Sequence, residues 1–112
     1  PFGPLVSEWY VDPSPGKVKR LNFLCRTLGL DKDQVQEVRY QLLHRTASAI
    51  LEAKRFKALT AAMLVHSFSP TYTWFEDFAA FADLFGDYAS MDQVHSAGKI
   101  GDTDLYLAWV KG

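Results

Sequence analysis

The chain has 112 residues, of which 48% are hydrophobic and 14% aromatic, and its formal net charge is −1. This composition excludes a disordered tail and is sufficient for one small domain, or a fragment of one, over residues 1–112. No apolar run approaches the roughly 18 residues that a membrane helix needs, so we expect no membrane partner. A single cysteine excludes an internal disulfide and favours the reducing cytoplasm.

Basic residues are concentrated in the middle of the chain. Ten basic and four acidic residues lie between Lys17 and Lys57, whereas residues 58–112 contain two basic and seven acidic ones. A basic surface of this kind can face an anion such as nucleic acid. The alternative, which we favour because no basic run is dense, is the solvated side of amphipathic helices.

The first part of the chain predicts a short helix followed by a longer amphipathic one. Pro4 begins a short apolar pattern, for which a strand is the alternative, and the PSPG segment ends it. The segment GKVKRLNFLCRTLGL has one apolar side and ends at Gly29, a natural left-handed cap. Cys25 lies on the apolar side, which predicts a buried and unreactive thiol.

A third helix follows a short turn. Asp31, with Gln34 three residues later, has the pattern of a helix start. The long helix over residues 40–57 then has a narrow apolar arc, which predicts these buried residues: Leu42, Leu43, Thr46, Ala47, Ile50 and Ala53.

The second half of the chain predicts two strands separated by a helix. Residues 61–68 (AAMLVHSF) and 104–110 (DLYLAWV) are apolar at both alternating sets of positions, which predicts strands buried on both faces. Between them, Thr73 and Glu76 form a capping box before a helix with an aromatic stripe. Residues 87–104 are polar and turn-rich, and we predict a connection there.

This order of elements predicts the fold class α/β, with a small, partial parallel sheet and helices packed on its faces. Two strands that are apolar on both faces cannot shield themselves. The missing surface would come either from a second copy, in a homo-oligomer, or from a segment preceding Pro1.

Polar residues of the long helix form a single row. They recur at steps of four, three, four and three, and the set is Gln41, Arg45, Ser48, Glu52 and Arg55. This spacing places them on one side of the helix, which is either its solvated side or the lining of a site.

Motifs for most catalytic chemistries are absent from the sequence. It contains no H-E-x-x-H, C-x-x-C or EF-hand pattern, no nucleophile elbow and no Gly-rich phosphate loop, so we predict no metal site within this chain. Asp102 and Asp104 could hold a hard cation, but turn chemistry before a strand is the favoured interpretation. His66 lies late in its strand, where α/β sheets tend to place binding groups, and a structural histidine is the alternative.

Several blocks of the sequence carry a resemblance to known proteins. RYQLLHRTASAILEAKRF, AAMLVHSFSP, WFEDFAAFADLFG and LYLAWVKG resemble a family of uncharacterised bacterial proteins. Longer members continue upstream and carry a Glu-x-Lys strand that is similar to the PD-(D/E)XK nuclease superfamily. The resemblance implies that this chain is the C-terminal portion of a restriction-endonuclease-like domain.

The resemblance also implies roles for particular residues. Gln41 and Arg45 match the Gln-x-x-x-Arg spacing near such sites, and with His66, or His44 in its place, they would be the catalytic residues. Arg45, Lys54 and Arg55 would bind nucleic acid. Mg²⁺ would be held by upstream carboxylates in a full-length protein, because the EAK triplet here lies within a helix.

The sequence leaves the choice between an enzyme and a binding protein open. The alternative to a nuclease-like portion is a non-enzymatic domain that self-associates through its sheet edge and apolar helix sides. The two hypotheses differ in partner: nucleic acid for the first and a second copy of the chain for the second.

Overall fold

The computed structural model describes residues 3–67, 74–86 and 92–111, which form a mixed α/β fold. None of the helices in these ranges is both long enough and apolar enough to cross a bilayer. The elements in chain order are α1 (Val6–Trp9), α2 (Pro15–Leu28), a 3-10 helix (Lys32–Gln34), α3 (Tyr40–Arg55), β1 (Thr60–Ser67), α4 (Phe75–Asp83), β2 (Gln93–Ile100) and β3 (Thr103–Lys111).

The predicted helix boundaries follow from local chemistry. Ser14 caps α2 by accepting a hydrogen bond from the Lys17 N–H at 3.2 Å. Gly29 ends α2 with a φ of 70°, and the Leu30 N–H then reaches the Cys25 carbonyl at 2.9 Å. At the next turn, the Gln34 side chain accepts a hydrogen bond from the Asp31 N–H at 2.8 Å. The predicted cap at Thr73 lies outside the described residues.

In the described part of the chain, the sheet has three strands in the order β1-β3-β2. β1 and β3 are parallel neighbours, as predicted, with Met63 opposite Leu107. β2 pairs with β3 in the antiparallel direction, so the sheet is mixed and the prediction of a purely parallel sheet was wrong. The prediction of a strandless connection over residues 87–104 was also wrong, because β2 occupies most of its described part.

The described helices cover one face of the sheet. On β1, the inward set Ala61, Met63 and Val65 is buried, whereas Leu64 and His66 on the other face are exposed. The prediction that β1 is buried on both faces was therefore wrong for the chain by itself. Helices α3 and α4 contact the inward face, and α2 packs on α3.

The core joins the aromatic residues of α4 to the central strand. Phe78 and Trp109 are both fully buried, and their ring centroids lie 5.8 Å apart. Phe75 meets Trp109 edge-on at 5.4 Å. The aromatic stripe predicted for this helix is thus a packing surface, with Phe81 also fully buried.

Asp92 fastens the start of β2 to the end of β3. Its Oδ1 accepts a hydrogen bond from the Lys111 N–H at 2.8 Å, and its Oδ2 lies 3.2 Å from the Lys111 Nζ. The backbone hydrogen bond is the main reason why the pKa of Asp92 lies below its ordinary value of 3.8.

This lowered pKa predicts an acid-dependent loss of stability. A carboxyl whose folded pKa is depressed stabilises the fold above its unfolded pKa, and that stabilisation is lost as the pH falls through the folded value. In a ¹³C NMR titration, we expect the Asp92 carboxyl to titrate below pH 3.8, and Asp92→Asn should remove this part of the acid dependence. An Asp92 carboxyl that titrates at or above that value would contradict the observed strand junction.

Candidate functional site

Helix α3 presents its polar row beside the free edge of the sheet. The predicted apolar arc is confirmed, because Leu42, Leu43, Thr46, Ala47, Ile50 and Ala53 are all buried. Packing of this arc against the sheet and α2 fixes the rotation of the helix. Arg45, Ser48 and Glu52 consequently lie on the side of α3 that faces β1.

A groove runs between α3 and β1. Its first part has a volume of about 480 Å³ and is lined by Arg45, Ser48 and Glu52 on the helix and by Ala62 and Leu64 on the strand. Its second part, of about 330 Å³, continues towards Phe56. Ala49, Glu52 and Ala62 line both parts and therefore mark the middle of the groove.

The strand side of this groove is β1, which is an edge strand of the sheet that the described residues form. The Asp104 N–H donates to the Leu59 carbonyl at 2.8 Å, so the odd-numbered residues of β1 direct their backbone groups towards β3. The even-numbered residues Ala62 and Leu64 then direct theirs outward, because β1 is at the edge of the described sheet. An outward row of N–H and C=O groups is a template for a further strand.

Arg45 already donates a hydrogen bond to one of these outward-directed backbone groups. Its Nη2 donates a hydrogen bond to the Leu64 carbonyl at 2.7 Å. A charged donor satisfies the edge carbonyl more strongly than a neutral one would. The polar row is therefore more than the solvated side of a helix, because one of its members holds the edge strand.

Apolar side chains are exposed along the same edge. Phe56, Leu59 and Leu64 are 68%, 72% and 52% exposed, and they lie at the end of α3, before β1 and within β1. Single exposed apolar residues are ordinary on protein surfaces, but a cluster beside an open strand is typical of interaction sites.

The structure places the predicted site residues on two elements, α3 and β1, and both Arg45 and His44 line the groove. Arg45 lies in the groove, whereas Gln41 lies one turn earlier on α3 and is exposed. His66 lies on the open face of the sheet, near the end of β1. Lys54 lines a different cavity, and the Arg55 guanidinium lies over the Phe56 ring at 5.5 Å.

Cys25 is buried, and burial raises the pKa of its thiol above the ordinary value of 9.0, as expected for an unreactive cysteine. Within residues 3–67, 74–86 and 92–111, no three His, Cys, Asp or Glu residues are grouped so that they could hold a metal ion.

The family of this chain follows from its sequence as a whole. No curated protein and no solved structure matches the chain, and nothing in the comparisons links it to the PD-(D/E)XK superfamily. One sequence profile does match, and it covers residues 1–112. The chain belongs to the family described as a domain of unknown function, DUF6946.

Proposed function

We propose that this domain is a self-associating interaction module, in which two copies join through their β1 edges. The observation that carries the proposal is the outward row of backbone groups at Ala62 and Leu64 on an edge strand. Antiparallel pairing of two such edges would satisfy these groups and extend each three-stranded sheet into a continuous six-stranded one.

The groove supports a second copy as the occupant because it is self-complementary about its middle. Arg45 and Glu52 are two helical turns apart, about 10 Å, with Ser48 and Ala49 halfway between them. A two-fold axis near Ala49 would place Arg45 of each copy opposite Glu52 of its partner. The small central side chains would let the two α3 helices approach closely.

The proposed pairing would replace the hydrogen bond that Arg45 donates to β1. In a single copy the guanidinium satisfies the Leu64 carbonyl. In the pair, the neighbouring strand would take over that carbonyl, which frees Arg45 for the carboxylate of Glu52 in the partner. The interface would also cover Phe56 and Leu64, and burial of apolar surface favours association.

A nuclease-like role remains the second candidate. What supports it is that α3 is followed directly by β1, and that Gln41 and Arg45 lie four apart on α3 with Arg45 in the groove. In that case Arg45 would contact a phosphate, and the metal-binding carboxylates would come from outside this chain. This role needs nucleic acid in the groove instead of a second copy.

Replacement of one outward N–H tests the proposed pairing. Ala62→Pro removes an edge N–H that β3 does not use, so the single copy should remain folded. We expect the dissociation constant of the dimer, measured by sedimentation equilibrium, to rise by about tenfold or more, since a pair of inter-strand hydrogen bonds is lost.

The control for this variant is Ala62→Val. Valine keeps the N–H and suits a strand, so the dimer should form as in the unaltered protein. A protein that is monomeric at all concentrations, or a dimer that Ala62→Pro leaves unchanged, would refute pairing through β1.

A further inference from the structure

A second cavity lies where the ends of α2 and α3 meet the β2–β3 hairpin. Its volume is about 470 Å³, and it is bounded by the end of α2, the end of α3, the turn after α4 and the β2–β3 hairpin. Three cationic side chains from three different elements line it: Arg26, Lys54 and Lys99. We call this cavity the basic cleft.

The charge of the basic cleft lacks a matching acid in its lining. No Asp or Glu is among its lining residues within the described part of the chain. Lys99 has an ion pair with Asp104 at 3.1 Å, but both side chains are largely exposed to solvent. No ion pair of Arg26 or Lys54 occurs among the described residues. Two of the three cations, Arg26 and Lys54, thus have no counter-charge among the described residues, which favours an anion from solution.

Helix ends explain part of this arrangement but not all of it. Basic residues in a last helical turn complement the helix dipole, which accounts for Arg26 and Lys54 individually. Lys99 is on a strand, so the dipole argument does not apply to it. In addition, the carbonyl groups at the end of α2 already have hydrogen-bond donors, because the N–H groups of Gly29 and Leu30 donate to them.

Much of the remaining lining of the basic cleft is apolar. Leu30, Leu84, Phe85 and Ile100 are half-buried against the core and also line the cavity. Its volume falls within the range of about 300–1,000 Å³ that is usual for small-molecule sites. The basic cleft thus offers both charge attraction and apolar contact to a ligand.

We propose that the basic cleft binds a small amphipathic anion, namely a carboxylate or phosphate carried on an apolar group. The anionic group would lie among Arg26, Lys54 and Lys99, and the apolar part would contact Leu30 and Phe85. This site is separate from the β1 edge and does not depend on self-association.

Four ligands that share an eight-carbon chain but differ in the charge of the head group test this proposal. Octanoate, octyl phosphate, octanol and octylammonium would each be titrated into the ¹⁵N-labelled protein and followed by amide chemical shifts. We expect both anions to shift the amides of Leu30, Ile100 and Gly101 saturably, and octanol to bind about tenfold more weakly, because it lacks charge-assisted hydrogen bonds. Octylammonium should not shift these amides.

Substitution of the cationic residues that line the basic cleft shows whether the ligand binds there. Lys54→Gln with Lys99→Gln should weaken octanoate binding by about tenfold or more, whereas Lys19→Gln, an exposed lysine of α2 outside the cleft, should not. Unchanged melting temperatures would show that all three proteins are folded. Absence of saturable shifts, equal binding of octanol, or unweakened binding in the double variant would overturn the proposal.

Discussion

Phe78→Ala is expected to lower the free energy of unfolding by about 3–5 kcal/mol, the usual cost of truncating a buried phenylalanine. Phe78 has no exposed surface, and its ring packs between Phe75 and Trp109, at 6.2 and 5.8 Å between centroids. The truncation removes one of the two aromatic contacts between α4 and Trp109 of the central strand, and a close-packed core fills the resulting cavity only in part.

Urea denaturation followed by circular dichroism measures this loss. The matched control is Phe23→Ala on α2, where the ring is 43% exposed and the change should cost about 1 kcal/mol or less. Phe78 and Phe23 both lie outside the groove at β1, so neither variant should alter self-association directly. Equal losses for the two variants would contradict the position of α4 on the sheet.

The helices were predictable because their signals are local. A period of 3.6 residues over α3 identified its six buried residues, and Gly29 was identified as the cap that ends α2. The strand character of β1 and β3, and their parallel pairing, also followed from apolar runs on either side of a helix.

Strand β2 was missed because its apolar pattern is inverted. Its inward residues are His95 and Ala97, whereas Val94, its most apolar residue apart from Ile100, is exposed on the open face. A bulge between Ser96 and Gly98, with Gly98 at a φ of 85°, interrupts the alternation as well. Without β2, the remaining two strands predicted a purely parallel sheet.

Only the helix side of the candidate site could be predicted from the sequence. Spacing along α3 identified the row that contains Arg45 and Glu52. The surface opposite that row depends on whether β1 is an edge strand, which is a property of the whole sheet and has no local signal. The convergence of Lys54 with Lys99 in the basic cleft is likewise created by long-range packing.

Reversing the charge of Arg45 or of Glu52 alone should disrupt the proposed dimer, and reversing both charges should restore it. In the proposed pair, each of these residues faces the other across the two-fold axis, so either single reversal creates two like-charge contacts. Close charge pairs at interfaces have coupling energies of about 1.5 kcal/mol or more, and two such contacts should weaken association by about a hundredfold. We therefore expect Arg45→Glu and Glu52→Arg each to be monomeric in sedimentation equilibrium at concentrations where the unaltered protein is a dimer.

The double variant Arg45→Glu/Glu52→Arg should recover the dimer to within about tenfold of the original affinity, because the attractive pairs are re-formed with reversed polarity. Recovery separates the interface from a purely structural role, since the lost hydrogen bond from Arg45 to the Leu64 carbonyl is not restored by the second change. It also separates the two candidate functions. If Arg45 instead binds nucleic acid, that binding should be lost in both Arg45→Glu and the double variant. A double variant that stays monomeric would exclude the antiparallel approach of the two α3 helices.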